Sequence, residues 1–285
     1  VKKELPAVEG SSGFVEKGEI GSVLERYELK YTIPYSMVDE ISAYVEAYCF
    51  LDKYSEKSPD RFYKINSLYF DTPDFLFLRR RLGREHRRFN MRIRSYGDNP
   101  QLPYFLEVKQ KRGDIIKKLR AKVFNTDLDT MLNGPIDESF LAGDKEAPSR
   151  AAFLRLRHAY NAQPQVIVQY RRKAYISHYE DYARVTFDKE LRYMEQHDYS
   201  PVPIEGQMAS CDIESEFDPG CNLILELKCY TSYVPLWMVD CVRKFQLRRR
   251  GFSKFSTCMM PIFNRRNWAG YDFVQSTAMQ YNDDD

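Results

Sequence analysis

Strand-like segments of this chain repeatedly place long cations on one parity and apolar side chains on the other, and few folds can bury that pattern. VLERYELKYTI (23–33) sets Arg26, Glu28 and Lys30 against Leu29, Tyr31 and Ile33. HRRFNMRIRSY (86–96) carries Arg92 and Arg94 opposite Met91 and Ile93; YFLEVKQK (104–111) carries Glu107 and Lys109 opposite Leu106 and Val108. IIKKLRAKV (115–123) adds Lys118 and Arg120, QVIVQYRRKAYIS (165–177) adds Arg172, and YARVTFDKEL (182–191) adds Arg184 and Asp188 against Val185 and Phe187. NLILELKCY (222–230) contributes Glu226 and Lys228, with Ile224, Leu225 and Leu227 read as its apolar side, and the closing GFSKFSTCMM brings Lys254. The shared face thus holds eleven cations and four carboxylates, a net +7, whereas the whole chain carries only +2. Charge is segregated to that face.

A sheet with cations on its concave side is satisfied by closing into a barrel with a polar bore, its outer side covered by helices. Helical patterns run from Pro34 to about Phe50, to about Leu82 after a turn, near Ser149–Tyr160, and over Trp237–Arg248. The expected fold is therefore α+β, a closed antiparallel β-barrel under helices; an open sheet with one solvated, ion-paired face is the competing form. Like charges confined in a bore stay ionised only with anions among them, and four carboxylates cannot neutralise eleven cations. A bound polyanion can. Arg and Lys suit non-bridging phosphate oxygens, while a carboxylate beside phosphate calls for Mg²⁺ or Mn²⁺ between them.

Other chemistries fit poorly. Six cysteines without a CxxC pair and four scattered histidines argue against structural zinc, and the thiols read as reduced in a cytoplasmic protein. No run reaches the ~18–20 apolar residues of a membrane span. A net charge of +2 points to no nucleic acid partner. Arg79–Arg81 and Arg248–Arg250 read as solvated helix ends, and the Tyr-rich strands as packing surfaces, because their aromatics mostly oppose the basic parity. Asp71 of SLYFDTPD reads as a turn residue. Residues 1–20 are expected to be a flexible arm and 266–285 a tail.

ERYELKYTIP (25–34), SLYFDTPD (67–74), MRIR (91–94), FLEVK (105–109), KLR (118–120), YRRKAY (170–175), RVTFD (184–188), LELK (225–228) and FSKF (252–255), in this order, resemble the VTC domain. That is the polyphosphate polymerase branch of the triphosphate tunnel metalloenzymes. The resemblance implies an eight-stranded antiparallel tunnel over residues 21–265 that encloses ATP, triphosphate or polyphosphate. It implies a phosphotransferase that moves the γ-phosphate of ATP onto a growing polyphosphate chain with Mn²⁺ or Mg²⁺. By motif, Lys30, Arg92, Arg94, Lys109, Lys118, Arg172, Arg184 and Lys254 would contact phosphate, with Arg26, Arg120 and Lys228 as further contacts. Glu226 would hold the metal, with Glu28 and Glu107 as secondary candidates. The hydrolase cousins carry ExExK on the first strand, where this chain has Arg26, Glu28 and Lys30; one acid is replaced by a base. Tri- or polyphosphate hydrolysis, and polyphosphate binding without turnover, remain the alternatives.

Overall fold

The computed structural model describes residues 26–266, apart from 114, 126, 135–144, 181, 212–218 and 231–232, with the side chains of Arg26 and Ile115 also outside the description. The expected arm (1–20), and all of the expected tail but Arg266, lie outside the described residues.

Each alternating segment except the closing GFSKFSTCMM is extended. β1 (Arg26–Ile33), β3 (Tyr63–Asp71), β4 (Arg87–Tyr96), β5 (Tyr104–Arg112), β6 (Ile115–Val123), β7 (Gln163–Ser177), β8 (Arg184–Glu195) and β10 (Leu223–Tyr230) pair antiparallel in the order β1-β10-β8-β7-β3-β4-β5-β6. Two short strands, β2 (Cys49–Leu51) and β9 (Ala209–Ser210), pair with β7 and β8. The register carries the charge pattern across the sheet: Lys30 stands opposite Glu226, Lys228 opposite Arg184, Arg172 opposite Asp188, Arg92 opposite Glu107, and Lys109 opposite Lys118. Side chains directly opposite share a face, so one inner face collects them all. The β5–β6 turn needs Gly113, whose φ is +59° and whose missing Cβ would stand 2.8 Å from the His86 ring.

The expected closed barrel does not form. β1 and β6 end the hydrogen-bonded path, and among the described residues no ladder joins them. The outer edge of β1 is instead occupied by Arg249 and Arg250: Tyr31 bridges to Arg249, and the Arg250 N–H donates to the Lys30 carbonyl at 2.8 Å. The sheet nevertheless curls far enough for Lys109 of β5 to pair with Glu28 of β1. The result is a strongly curved open sheet of ten strands.

Helices cover its convex side. α1 (Val38–Val45) and α6 (Leu236–Lys244) bury Ile41, Val45, Trp237, Met238 and Cys241 against Tyr31, Val185, Phe187, Leu225 and Leu227. α4 (Leu128–Asn133) and α5 (Ala147–Tyr160) bury Leu128, Leu132, Phe153 and Leu154 against Met91, Ile93, Leu106 and Val108. Each of these side chains removes apolar area from water at roughly 25 cal/mol per Å². α1 stops earlier than its periodicity suggests because Cys49–Leu51 is taken into the sheet beside β7. α2 (Lys53–Lys57) and α3 (Leu76–Leu82) are short. Asp71 is more than a turn residue: its carboxylate accepts from the amides of Thr72, Phe77 and Leu78 at 2.7–2.9 Å and so seats the start of α3.

Two assignments from the alternation change. Ile224 pairs with Asp188 and lies on the inner face with Glu226, not with Leu225 and Leu227. It is buried in one apolar cluster with Phe252, Phe255 and Met259. Lys254 is not on a strand but is the first residue of α7 (Lys254–Arg265), whose Ser253 cap accepts from the Ser256 amide at 3.4 Å. Among the described residues, no helix is long and apolar enough to cross a membrane. All six cysteines are free thiols.

Candidate functional site

The concave face encloses a cavity of about 1510 Å³ lined by residues of β1, β3 to β8, β10 and the start of α7. Its described lining holds seventeen Lys and Arg side chains against three carboxylates, Glu28, Asp52 and Glu226. Ten of the eleven cations named from the sequence line it: Lys30, Arg92, Arg94, Lys109, Lys118, Arg120, Arg172, Arg184, Lys228 and Lys254. The eleventh, Arg26, begins β1 opposite Tyr230, and its side chain is outside the described residues.

Two ion clusters organise the wall. In the first, Asp188 accepts from Arg172 Nε and Nη2 at 2.6 and 2.7 Å and forms an ion pair with Lys254 Nζ at 2.6 Å. Lys254 also reaches Glu226 at 3.2 Å, and Glu226 meets Lys228 at 2.8 Å, Lys30 at 3.7 Å and Arg172 at 3.7 Å. Burial alone would raise both carboxyls. The surrounding cations prevail, with Lys228, Lys254 and Lys30 holding Glu226 well below the usual carboxylate range and Arg172 with Lys254 lowering Asp188. Lys254 is raised by the same pairing, against its burial.

The second cluster surrounds Glu107, which is 2 % exposed. Arg92 and Lys118 contact it at 2.7 and 2.9 Å, Arg120 and Arg94 at 3.5 and 3.7 Å. One carboxylate cannot satisfy four cations. Burial accordingly lowers Lys118 to about 7 despite Glu107, while Glu107 itself is held far down by Arg94 and Arg92. Burial likewise lowers Lys30 to about 8, with Glu226 restoring part of the loss. Glu28, paired with Lys109, is brought down to about 2, the burial that opposes this being outweighed by Lys109 and Lys228.

Between the clusters stand tyrosines that the alternation missed. Tyr170 OH accepts from Arg94 at 3.3 Å, Lys254 Nζ lies 4.8 Å from the Tyr170 ring centre, and Tyr69 OH accepts from Arg92 at 2.8 Å. Tyr63, Tyr69, Tyr96 and Tyr170 all line the cavity, so these rings share the basic parity rather than opposing it. The two arginine runs also change meaning. Arg81, Arg249 and Arg250 line the cavity, while Arg79 and Arg80 pair with Asp74 and Glu85 outside it. No local pattern marks Arg249 and Arg250, because only the bridge to β1 brings them in.

Among the described residues, no group of three or more His, Cys, Asp or Glu side chains could hold a metal ion by itself. Oxygen donors on the wall are few but adjacent. The Thr186 hydroxyl is buried without a hydrogen-bond partner, and Thr186 stands directly opposite Glu226 in the β10–β8 register. A carboxylate beside an unsatisfied hydroxyl suits a hard divalent cation that takes its remaining ligands from phosphate and water. Glu107 offers no such place, since its oxygens are enclosed by Arg92, Arg94, Lys118 and Arg120.

The VTC domain family matches residues 25–263 of the chain. A candidate adenylate cyclase from Bacillus halodurans is similar in structure, with 10% identity, 80% of this chain and 95% of that one covered, and a TM-score of 0.45. A protein from Pyrococcus horikoshii OT3 shows 13% identity over 85% and 99% of the two chains, with a TM-score of 0.42. A candidate adenylyl cyclase from Hippeastrum, described as having a dominant triphosphatase activity, shows 13% identity over 82% and 95%, with a TM-score of 0.42. No curated protein matches the sequence.

Proposed function

The chain belongs to the VTC domain family, and from that premise we propose that its cavity is a metal-dependent polyphosphate polymerase site that moves the γ-phosphate of ATP onto a polyphosphate chain. The observation that carries this reading is the excess of cations over carboxylates on the inner wall, which only a polyanion relieves. Residues 21–265 would form the working unit. Lys30, Arg172, Lys228 and Lys254 around Glu226 would hold the phosphates of the donor, and Arg92, Arg94, Lys118 and Arg120 those of the acceptor chain. Lys109 and Arg184 would extend the two sets toward each other along β5 and β8. In the transfer, a terminal oxygen of the acceptor forms the new bond to the γ-phosphorus, the β–γ bridge breaks, and ADP leaves. Such a step is largely positioning and charge stabilisation, which fixed ammonium and guanidinium groups supply. Glu226, with Thr186 beside it, would hold Mg²⁺ or Mn²⁺, which when bound offsets charge between phosphate oxygens and the carboxylate. Glu28 would act mainly as the partner of Lys109, and Glu107 as the counter-charge that keeps its four cations in place.

Purified protein with ATP and Mn²⁺ or Mg²⁺ is expected to yield ADP and long polyphosphate, read by gel electrophoresis of the acid-stable product. Release of inorganic phosphate alone would reject the polymerase reading and favour hydrolysis. A binding module without turnover is the second reading, and one observation favours it: the described residues contain no self-sufficient metal-holding group. Tight binding of polyphosphate with no metal-dependent conversion of ATP would establish that reading instead.

The depressed Lys118 pKa sets a pH dependence. Burial brings this ammonium down to about 7. Phosphate oxygens favour the charged form, so binding takes up a proton above that pH and affinity falls as pH rises, by at most about tenfold per unit for one proton. Titration calorimetry of tripolyphosphate in buffers of different ionisation enthalpy is expected to register this uptake at pH 8. Lys118→Arg, which stays charged, should flatten the profile; an unchanged slope would remove Lys118 from the site.

A further inference from the structure

The two ends of the inner face of β4 differ in chemistry. Arg88 and Tyr96 lie eight residues apart on it, roughly 27 Å at about 3.4 Å per residue. At the Arg88 end the lining is cationic, with Lys111 opposite Arg88 in the register and Arg81, Arg84 and Lys117 in the same wall. At the Tyr96 end it is aromatic. The Tyr54 and Tyr96 rings are parallel within 6°, their centres 5.9 Å apart, and Tyr63 lies 5.5 Å from Tyr54 and 6.5 Å from Tyr96. Phe105 meets Tyr96 edge-on, and the Arg120 guanidinium sits 3.9 Å over Phe105 while donating to Tyr96 OH at 3.1 Å.

Tyr63 and Tyr96 pack in part against the core, but core packing does not account for Tyr54, which remains 46% exposed. It is nevertheless held in place. Asp52 accepts from the Ser55 amide at 2.8 Å and from Tyr63 OH at 3.1 Å, and Ser55 Oγ accepts from the Ala174 amide at 2.9 Å, tying α2 to β7. The wall also adjoins the phosphate-binding cations, since Tyr63 stands opposite Arg172 in the β3–β7 register. A linear polyphosphate has no use for an aromatic surface. A nucleoside triphosphate does, for it is a polyphosphate with one flat aromatic end.

We propose that Tyr54, Tyr63 and Tyr96 form the stacking surface for the nucleobase of a nucleoside triphosphate whose phosphates lie among the cavity cations. This rests on the polyphosphate reading above and adds the end of the cavity at which the nucleotide enters. Stacking is tolerant of base identity because every base has a π-face, so the wall selects nucleotides over inorganic chains rather than one base over another.

The test compares binding of a non-hydrolysable ATP analogue with binding of tripolyphosphate, by titration calorimetry on wild type, Tyr54→Ala and Tyr54→Trp. Tyr54→Ala is expected to weaken the ATP analogue by roughly 5- to 100-fold, the usual loss for one base–aromatic stack, and to leave tripolyphosphate unchanged. Tyr54→Trp is expected to keep or tighten analogue binding. Equal loss for both ligands would make Tyr54 structural and overturn the proposal, as would no loss for either. Wild-type protein that binds neither ligand would overturn the polyphosphate reading and this inference together; wild type that binds tripolyphosphate but not the analogue would overturn the inference alone.

Discussion

Asp188→Ala is expected to lower folding stability by roughly 3–5 kcal/mol, because it takes from two buried cations their nearest counter-charge and leaves them only Glu226 to share. The Asp188 side chain is fully buried and neutralises Arg172 through two hydrogen bonds and Lys254 through an ion pair at 2.6 Å. Those cations are 12% and 8% exposed, so water cannot replace the carboxylate. Chemical denaturation of the variant measures the loss. Added tripolyphosphate should recover part of it, since a bound anion supplies the missing charge to the folded state only. A variant as stable as wild type would mean that Arg172 and Lys254 need no internal counter-charge beyond Glu226.

Glu226→Gln has the largest expected effect on turnover. The change keeps the shape of the side chain while removing its charge from among Lys30, Arg172, Lys228 and Lys254. On the role proposed for Glu226, loss of its carboxylate costs several kcal/mol of transition-state stabilisation, so kcat should fall by roughly 10³-fold. Affinity for tripolyphosphate without metal should move the other way, or stay level, because one negative charge facing the polyanion is gone. Steady-state kinetics and metal-free calorimetry separate the two. Retained kcat would sink the assignment of Glu226.

Much of this arrangement was legible because strand side chains alternate with period two. Arg92 and Arg94, Glu107 and Lys109, and Glu226 and Lys228 had to share faces once each segment was extended, and the antiparallel register then stacked those faces into one wall. What alternation could not supply was anything set by a partner distant in sequence. Ile224 looked like a neighbour of Leu225 and Leu227, but its position opposite Asp188 puts it on the polar side, where Phe252, Phe255 and Met259 cover it. Lys254 follows a Gly-Phe-Ser stretch that reads as easily as a strand; its Ser253 cap makes it the first turn of a helix. Closure failed for a similar reason. At Lys30 and Tyr31 the edge of β1 that a barrel needs is taken by Arg249 and Arg250, from a segment read as a solvated helix end. The tyrosines at 63, 69, 96 and 170 were passed over because the aromatics were judged to oppose the basic parity; Tyr96 and Tyr170 are in phase with Arg94 and Arg172 on their own strands, whereas Tyr63 and Tyr69 are brought in by standing opposite Arg172 and Arg92.

The open end of the sheet has a consequence for the protein in company. A strand at the end of a hydrogen-bonded path can accept another chain along its outer side, and among the described residues β6 ends that path, with its Lys122 amide already donating to Glu146. Lys117, Lys118, Arg120 and Lys122 occupy four of its nine positions. A second copy approaching that border would set lysine against lysine, at a cost that grows with every residue paired. Lys117, Lys118 and Arg120, which line the cavity, thus also set like charge along the rim.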